Sequence, residues 1–344
     1  MPCYDYDQGQ FSPCGWVYPG ETVLPSDNII LQRTPFTWQQ NNNWSTFYTA
    51  CQQLARSITV PAYVFIDASW DPFVMSNTEI LQRLAELDSI FVDSKVCILS
   101  ARAQHYFDHL PGCVYMPLFA MHNYKDLEHR PKSGRIGCLN RRNAAHRVWL
   151  MHHLLDKKLI DPQRDVYSVA FTSLWSDTYF DVDHLLQINW FNQAQRQWPT
   201  QIQTHPDNFP NDYGISHPAW HTGIVIITET EVDANTLICE KTAKGILSKS
   251  CFSVYMHDVG YRVLEDLGFE PRFFANHAQE FDIQPIIDIC HKFDTADSAI
   301  DYSREHQHQI DHNFDWLAYG QGPVHARPWF GRWKPKLEQA LQSL

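Results

Sequence analysis

Apolar positions in this chain follow two rhythms. Short runs without polar alternation, such as Tyr63-Val64-Phe65-Ile66, Val96-Cys97-Ile98-Leu99 and Gly223-Ile224-Val225-Ile226-Ile227-Thr228, predict strands buried on both faces. Between them lie stretches with helical spacing. The pattern predicts helices from Asn43-Trp44-Ser45-Thr46 through Leu54, from Asn77 to Leu87, and from about Ala144 to Lys158, where Ala144, Val148, Met151 and Leu155 share a face. Strands are expected at Val114-Tyr115-Met116, Arg135 to Leu139, Val166 to Phe171 and Phe252 to Tyr255, with further helices at Glu240 to Ser248, Gly260 to Leu267, 286 to 292 and 297 to 310. Alternating strand and helix means parallel sheets covered by helices, an α/β fold.

The segment His122 to Gly134, polar and closed by Pro131-Lys132-Ser133-Gly134, reads as a linker between two such alternations. Two Rossmann-like domains facing each other across a cleft is the architecture expected, with residues 1–130 in the first and 135–315 in the second. Residues 1 to about 58 are rich in proline and carry the weakest signal. The last segment, 316–344, is expected to return to the first domain, because Trp329, Phe330 and Trp333 need burial. Pro335 is expected at the first position of its closing helix.

Composition narrows the class. With 344 residues, 44% hydrophobic and 19% charged, the chain is an ordinary globular protein of two-domain length. No apolar run reaches the roughly 18 residues of a membrane span, and the polar start Met1-Pro2-Cys3-Tyr4-Asp5 lacks a leader pattern, so a soluble, cytoplasmic protein is expected. Nine cysteines without a C-x-x-C pair read as reduced thiols. A net charge of −12 argues against a broad nucleic-acid surface, while leaving room for a local basic groove.

The chemistry is expected where loops leave the carboxyl ends of strands and enter helices. Two such junctions in the second half are basic. One is Asn140-Arg141-Arg142-Asn143, followed by His146 and Arg147. At the other, Glu229 and Glu231 follow the buried strand, and Glu240-Lys241 opens a helix that also carries Lys244. A helix amino terminus already carries about half a positive charge, so lysines there point to an anion, most often phosphate. Arginines at one strand end and lysines at its neighbour suit a diphosphate held from two sides, and Glu240 suits a pair of ribose hydroxyls.

Taken in order, these segments resemble the donor-binding region of α-1,3-fucosyltransferase-like glycosyltransferases and of uncharacterised phage and large-virus glycosyltransferases. The resemblance runs from Gly137-Cys138-Leu139-Asn140-Arg141-Arg142 through Glu240-Lys241 and Leu264-Glu265-Asp266-Leu267-Gly268-Phe269 to His312-Asn313. Cys239 stands where that family tends to have Thr or Ser, and Cys251-Phe252 replaces its usual Pro-Val. The resemblance implies a GT-B fold, a UDP- or GDP-sugar donor and usually no metal.

A glycosyl transfer without metal must neutralise the leaving diphosphate with fixed cations and dipoles, for which Arg141, Arg142, Lys241 and Arg147 are candidates. An inverting reaction also needs a base toward the acceptor hydroxyl. Asp67, at the end of the strand Tyr63 to Ile66, is the expected base, with Asp71 just beyond it as the other catalytic carboxylate; the alternatives for Asp67 are a loop-stabilising cap or, in a retaining enzyme, orientation of substrate. The acceptor is expected to be a glycan, a protein hydroxyl or, for a viral chain, a hydroxymethylated base in DNA. Two other readings compete: a non-catalytic sugar-nucleotide-binding protein, and a metal-dependent hydrolase built on His306, His308 and His312.

Overall fold

The computed structural model describes residues 29–33, 44–67, 77–108, 110–121, 127, 129–140, 145–161, 163–169, 215, 217–229, 236–274, 282–318 and 327–342. The chain divides into two compact units, Met1–His122 with Gln321–Leu344, and Asn123–Gly320. Each is built on a parallel four-stranded sheet among the described residues.

In the first unit the order is β1 (Ile29–Arg33), β2 (Tyr63–Asp67), β3 (Lys95–Ser100), β4 (Cys113–Tyr115). β1 was not expected from the proline-rich start. It pairs in register with β2, Ile29 against Tyr63 through Arg33 against Asp67. Because the strands follow one another across the sheet, right-handed crossovers put α1 (Trp44–Ser57) and α2 (Asn77–Asp88) on one face. There Phe47 and Cys51 of α1 and Ile80, Leu84 and Leu87 of α2 form a single core with Val64, Ile66, Val96, Ile98 and Cys113. Trp44 Nε1 donates to Glu86, and Arg83 stacks 4.6 Å over the Trp44 ring, which ties the two helices together. β4 is followed by the short α3 (Leu118–Met121).

A late helix, Pro328–Gln342, completes this unit, and it is called α10 after the helices of the second unit given below. Trp333 Nε1 donates to Tyr115 O at 2.7 Å, Arg327 Nη1 donates to Ala120 O at 2.6 Å, and Trp329 and Trp333 are fully buried. Pro335 therefore lies inside the helix rather than at its start, where Pro328 stands. A mid-helix proline crowds the carbonyl four residues earlier. That residue is Gly331, around which nothing lies within 4 Å of a Cβ position, and burial of the three aromatics carries the helix through.

The second unit has the strand order β6 (Val166–Val169), β5 (Ile136–Asn140), β7 (Ile224–Thr228), β8 (Cys251–Tyr255). α4 (Ala145–Asp156) joins β5 to β6, and α5 (Glu240–Leu247) joins β7 to β8. These crossovers run outward in opposite directions from the central pair, so right-handedness puts α4 and α5 on opposite faces. Side chains agree: Ile227 touches Gly245 of α5, while Tyr255, one pleat further on, has its ring 6.0 Å from His146 of α4. At the amino edge, Arg135 is buried with Asp165, Nη2 to Oδ2 at 2.7 Å and Nε to Oδ1 at 2.9 Å, and also donates to Phe293 O at 2.8 Å.

α6 (Asp258–Asp266), α7 (Gln284–Lys292), α8 (Ala296–Glu305) and α9 (Gln307–Ala318) complete the unit. Gly268 ends α6 in the left-handed region, φ +96°, with the Trp316 indole pressed against it. The single helix expected over 297 to 310 is two, broken at His306, whose Nδ1 turns back to Tyr302 O at 2.9 Å. The strand expected to reach Phe171 is described only to Val169, and the segment 193 to 211 lies outside the described residues. Seven cysteines are described, all free and buried, as reduced thiols would be. Among the described residues no helix is long and apolar enough to cross a membrane.

Candidate functional site

β5 and β7 are neighbours whose connections leave in opposite directions, so the crevice at their carboxyl ends is a topological switch point. In open α/β sheets such a crevice is where ligands bind. β5 ends at Asn140 and β7 at Thr228, and Thr228 Oγ1 donates to Asn140 Oδ1 across the gap. The strand ends that precede the two junctions singled out in the sequence therefore lie side by side.

Glu229 is the hub of this edge. Fully buried, it receives Cys239 N–H on Oε1 at 3.1 Å and the Thr242 hydroxyl on the same oxygen. Its main-chain oxygen accepts from Arg147 Nη2 at 3.0 Å and from His146 Nε2 at 2.9 Å, and its N–H donates to Tyr255 O at 3.3 Å. One residue thus ties β7 and β8 to both α4 and α5. The carboxylate stands at the start of α5, where a helix dipole favours negative charge.

The other candidates fall into two groups. Asn140 and Arg147 are buried, at 1% and 2% exposure; Asn140 Nδ2 also donates to Cys138 Sγ at 3.2 Å, and Arg147 also reaches Thr228 O at 3.4 Å. They hold the strand ends together. Glu240 and Lys241, by contrast, reach solvent, with side-chain exposures of 42% and 23% and an ion pair of 3.4 Å. Lys244 is buried on the same helix.

Cys239 is the residue before α5, in extended conformation, and its sulfur accepts from Lys241 N–H at 3.5 Å and from Lys241 Nζ at 3.0 Å. It does with sulfur what a Ser or Thr cap does with oxygen. Burial foremost, then Glu229 and Glu240, push its thiol well above the ordinary range. Burial works against the charges of Glu240 and Lys241, yet each prevails through its neighbours. Lys241 and Lys244 hold Glu240 well below the usual carboxylate range, and Cys239 and Glu240 hold Lys241 above the usual lysine value. A cation on a helix start is thus present and accessible at neutral pH.

Burial, then Arg147, brings His146 down to about 3, so it is neutral and donates Nε2–H to Glu229 O. The folded state then binds fewer protons than the unfolded chain once pH drops below about 6.5. The stability it contributes is complete above that value and is lost progressively as pH falls toward about 3. Urea unfolding at pH 7 and at pH 5 is expected to reveal a loss approaching about 1.4 kcal/mol per pH unit from this group, and His146→Gln to remove that part of the slope.

Asp67 ends β2 beside Leu99 of β3; its side chain, and the whole of Asp71, Arg141, Arg142 and Glu231, lie outside the described residues. The first sheet has no reversal of strand order among its described strands. His312 Nε2 bonds Gly268 O at 2.9 Å and its ring stacks on Trp316, while His306 sits at the break before α9, off the helix that carries His308. Among the described residues no group of three His, Cys, Asp or Glu is arranged to hold a metal. Thr228 and Thr242 were not singled out in the sequence, and neither was the capping role of Cys239; for Thr228 the signal was a polar residue at the end of an apolar run. Compared with models of known protein families and with curated proteins, the chain matches none.

Proposed function

We propose that the chain is a nucleotide-sugar-dependent glycosyltransferase of GT-B type. The second unit binds a UDP- or GDP-sugar, and the sugar passes to an acceptor hydroxyl of a glycan, a protein or a hydroxymethylated DNA base. The observation that carries the reading is the switch point between β5 and β7, with a charged, solvent-reaching Lys241 on the first turn of the helix that opens from it. Arg141 and Arg142 follow directly in sequence on Asn140, the last residue of β5. Lysine, arginines and the α5 dipole together would neutralise a leaving diphosphate as its charge develops. Glu240, exposed and ionised, suits ribose hydroxyls. The two α/β units are consistent with GT-B, in which one unit holds the donor and the other the acceptor.

The test is a thermal-shift screen of the full chain against UDP-, GDP- and CMP-sugars. A donor at one hundred times its dissociation constant adds about 2.7 kcal/mol, and one class of base is expected to do so. Uniform failure of the panel would remove the reading. Release of UDP or GDP from the stabilising donor separates an enzyme from a non-catalytic binder.

A further inference from the structure

At the amino edge of the second sheet, the segment 129–134 carries a lysine with no carboxylate beside it. His129, Arg130, Pro131 and Ser133 reach solvent, and Lys132 is half-buried among them. Its Nζ donates to Lys249 O and, at 2.7 Å, to Ser250 Oγ, in the turn that enters β8. The Ser250 hydroxyl hydrogen is committed to Thr222 O at 2.8 Å, so toward the lysine its oxygen accepts. Two N–H bonds are therefore held. Among the described residues nothing accepts the third, and no carboxylate pairs with the ammonium.

The surroundings are cationic. Lys249 Nζ stands 3.6 Å from Asp311 Oδ1 and 4.2 Å over the Phe314 ring, against which the His129 ring packs edge-on at 5.5 Å. Asp311 also accepts from Gln307 at 3.0 Å. Partial burial, then Lys249, His221 and Lys132, lower His129 below the ordinary histidine value. His221 itself accepts the Arg130 N–H on Nδ1 at 3.4 Å, and its Nε2 meets Ile215 O at 2.7 Å. Cys251 begins β8 directly after Ser250, and burial foremost holds its thiol up at about 12, so it supplies no charge.

A lysine that donates to two oxygens is most often a tie between segments. A tie, however, needs only two hydrogens, and a neutral amine has two. Giving up the third costs Lys132 no hydrogen bond, and burial brings it down to about 8, with Cys251 pulling the other way. At pH 7 about a tenth of it is then amine, against less than about one in a thousand for an ordinary lysine.

We propose that Lys132 takes up carbon dioxide as a carbamate. The nitrogen lone pair, which replaces the hydrogen that has no acceptor, forms the bond to carbon. One C–O π pair moves onto oxygen, one N–H proton passes to solvent, and the last N–H keeps one of the two acceptors. The product carries a negative charge where the amine had none, and Lys249 and His129 supply the positive field that holds it. Carbon dioxide is small and uncharged, as entry to a half-buried amine requires. The inference does not depend on glycosyl transfer, because the strands of this sheet carry their switch point at the other edge.

The experiment equilibrates the full chain near neutral pH with isotope-labelled bicarbonate and its carbon dioxide, fixes carbamates as ethyl esters with triethyloxonium ion, and reads each lysine by peptide mass spectrometry. Lys132 is expected to carry at least about tenfold more label than Lys157 and Lys158, which are exposed on the same unit. Lys249→Gln is expected to lower the label at Lys132 severalfold and to leave Lys157 and Lys158 as they were. In the intact protein, the carbamate carbon signal by NMR is expected to vanish in Lys132→Arg, which retains donors for Lys249 O and Ser250 Oγ; if that variant does not fold, the comparison of lysines within wild type carries the test. No label at Lys132, or no more than at Lys157 and Lys158, overturns the proposal. Folded Lys249→Gln labelled like wild type overturns it as well, since the field assigned to hold the product would then be idle.

Discussion

Lys241→Ala is expected to abolish the thermal shift produced by a nucleotide-sugar donor while leaving the melting temperature of the free protein nearly unchanged. The side chain is 23% exposed, and its bonds run to the Cys239 sulfur at 3.0 Å and to Glu240 at 3.4 Å. A partly exposed ion pair of this kind contributes about 0–1 kcal/mol. Its loss is offset by removing a cation from a helix amino end, where the dipole opposes it by about 0.3–1 kcal/mol. The bound state has no such compensation. A diphosphate at this helix start loses its one accessible ammonium among the described candidates, so a wild-type shift of roughly 5–10 °C, the counterpart of about 2.7 kcal/mol in a unit of this size, should vanish. Differential scanning fluorimetry with the donor identified by the screen decides it. A Lys241→Ala protein that still shifts by the wild-type amount would place the anion elsewhere.

The strands were readable because parallel strands buried on both faces leave uninterrupted apolar runs, and seven of the eight described strands emerge where such runs occur. β1 escaped because Ile29-Ile30-Leu31 is brief and set among prolines, and its partner β2 lies more than thirty residues on. The break at His306 escaped for a different reason: helical spacing continues through it, and only the contact of its ring with Tyr302 O marks the join. Pro335 inside α10 shows tertiary burial overriding a local rule, since Trp329 and Trp333 gain more from one continuous face than the helix loses at one missing bond.

At the candidate site, sequence order placed Asn140, Arg147, Glu229, Glu240 and Lys241 at strand ends and helix starts correctly. It gave no sign of which would be buried. That follows from hydrogen-bond demand: the end of β7 offers the carbonyls of Thr228 and Glu229, and Arg147 and His146 satisfy them from α4. An arginine one turn into a helix looks the same in sequence whether it reaches solvent or turns inward. Glu229 likewise stands among the donor-binding candidates in sequence, whereas its carboxylate is already engaged by Cys239 and Thr242.

That engagement makes Glu229→Ala the substitution with the largest expected cost in stability. The buried carboxylate oxygen Oε1 accepts from the Cys239 N–H at 3.1 Å and from the Thr242 hydroxyl. Hydrogen bonds to a charged acceptor contribute about 1.5–3 kcal/mol each, and truncation leaves both donors buried without it. Arg147 and His146 hold the main-chain oxygen of the same residue, so β7 itself stays in place and the damage falls on the start of α5. Urea unfolding is expected to show a loss of about 3–5 kcal/mol. The donor shift should disappear with it, because Lys241 stands on the turn that the carboxylate fixes. Glu229→Gln separates the two consequences: it keeps Oε1 as an acceptor and places an NH2 where Oε2 has no partner among the described residues, so most of the stability should return. If Glu229→Ala unfolds like wild type, the carboxylate is not what organises this helix start, and the link from β7 to Lys241 is broken.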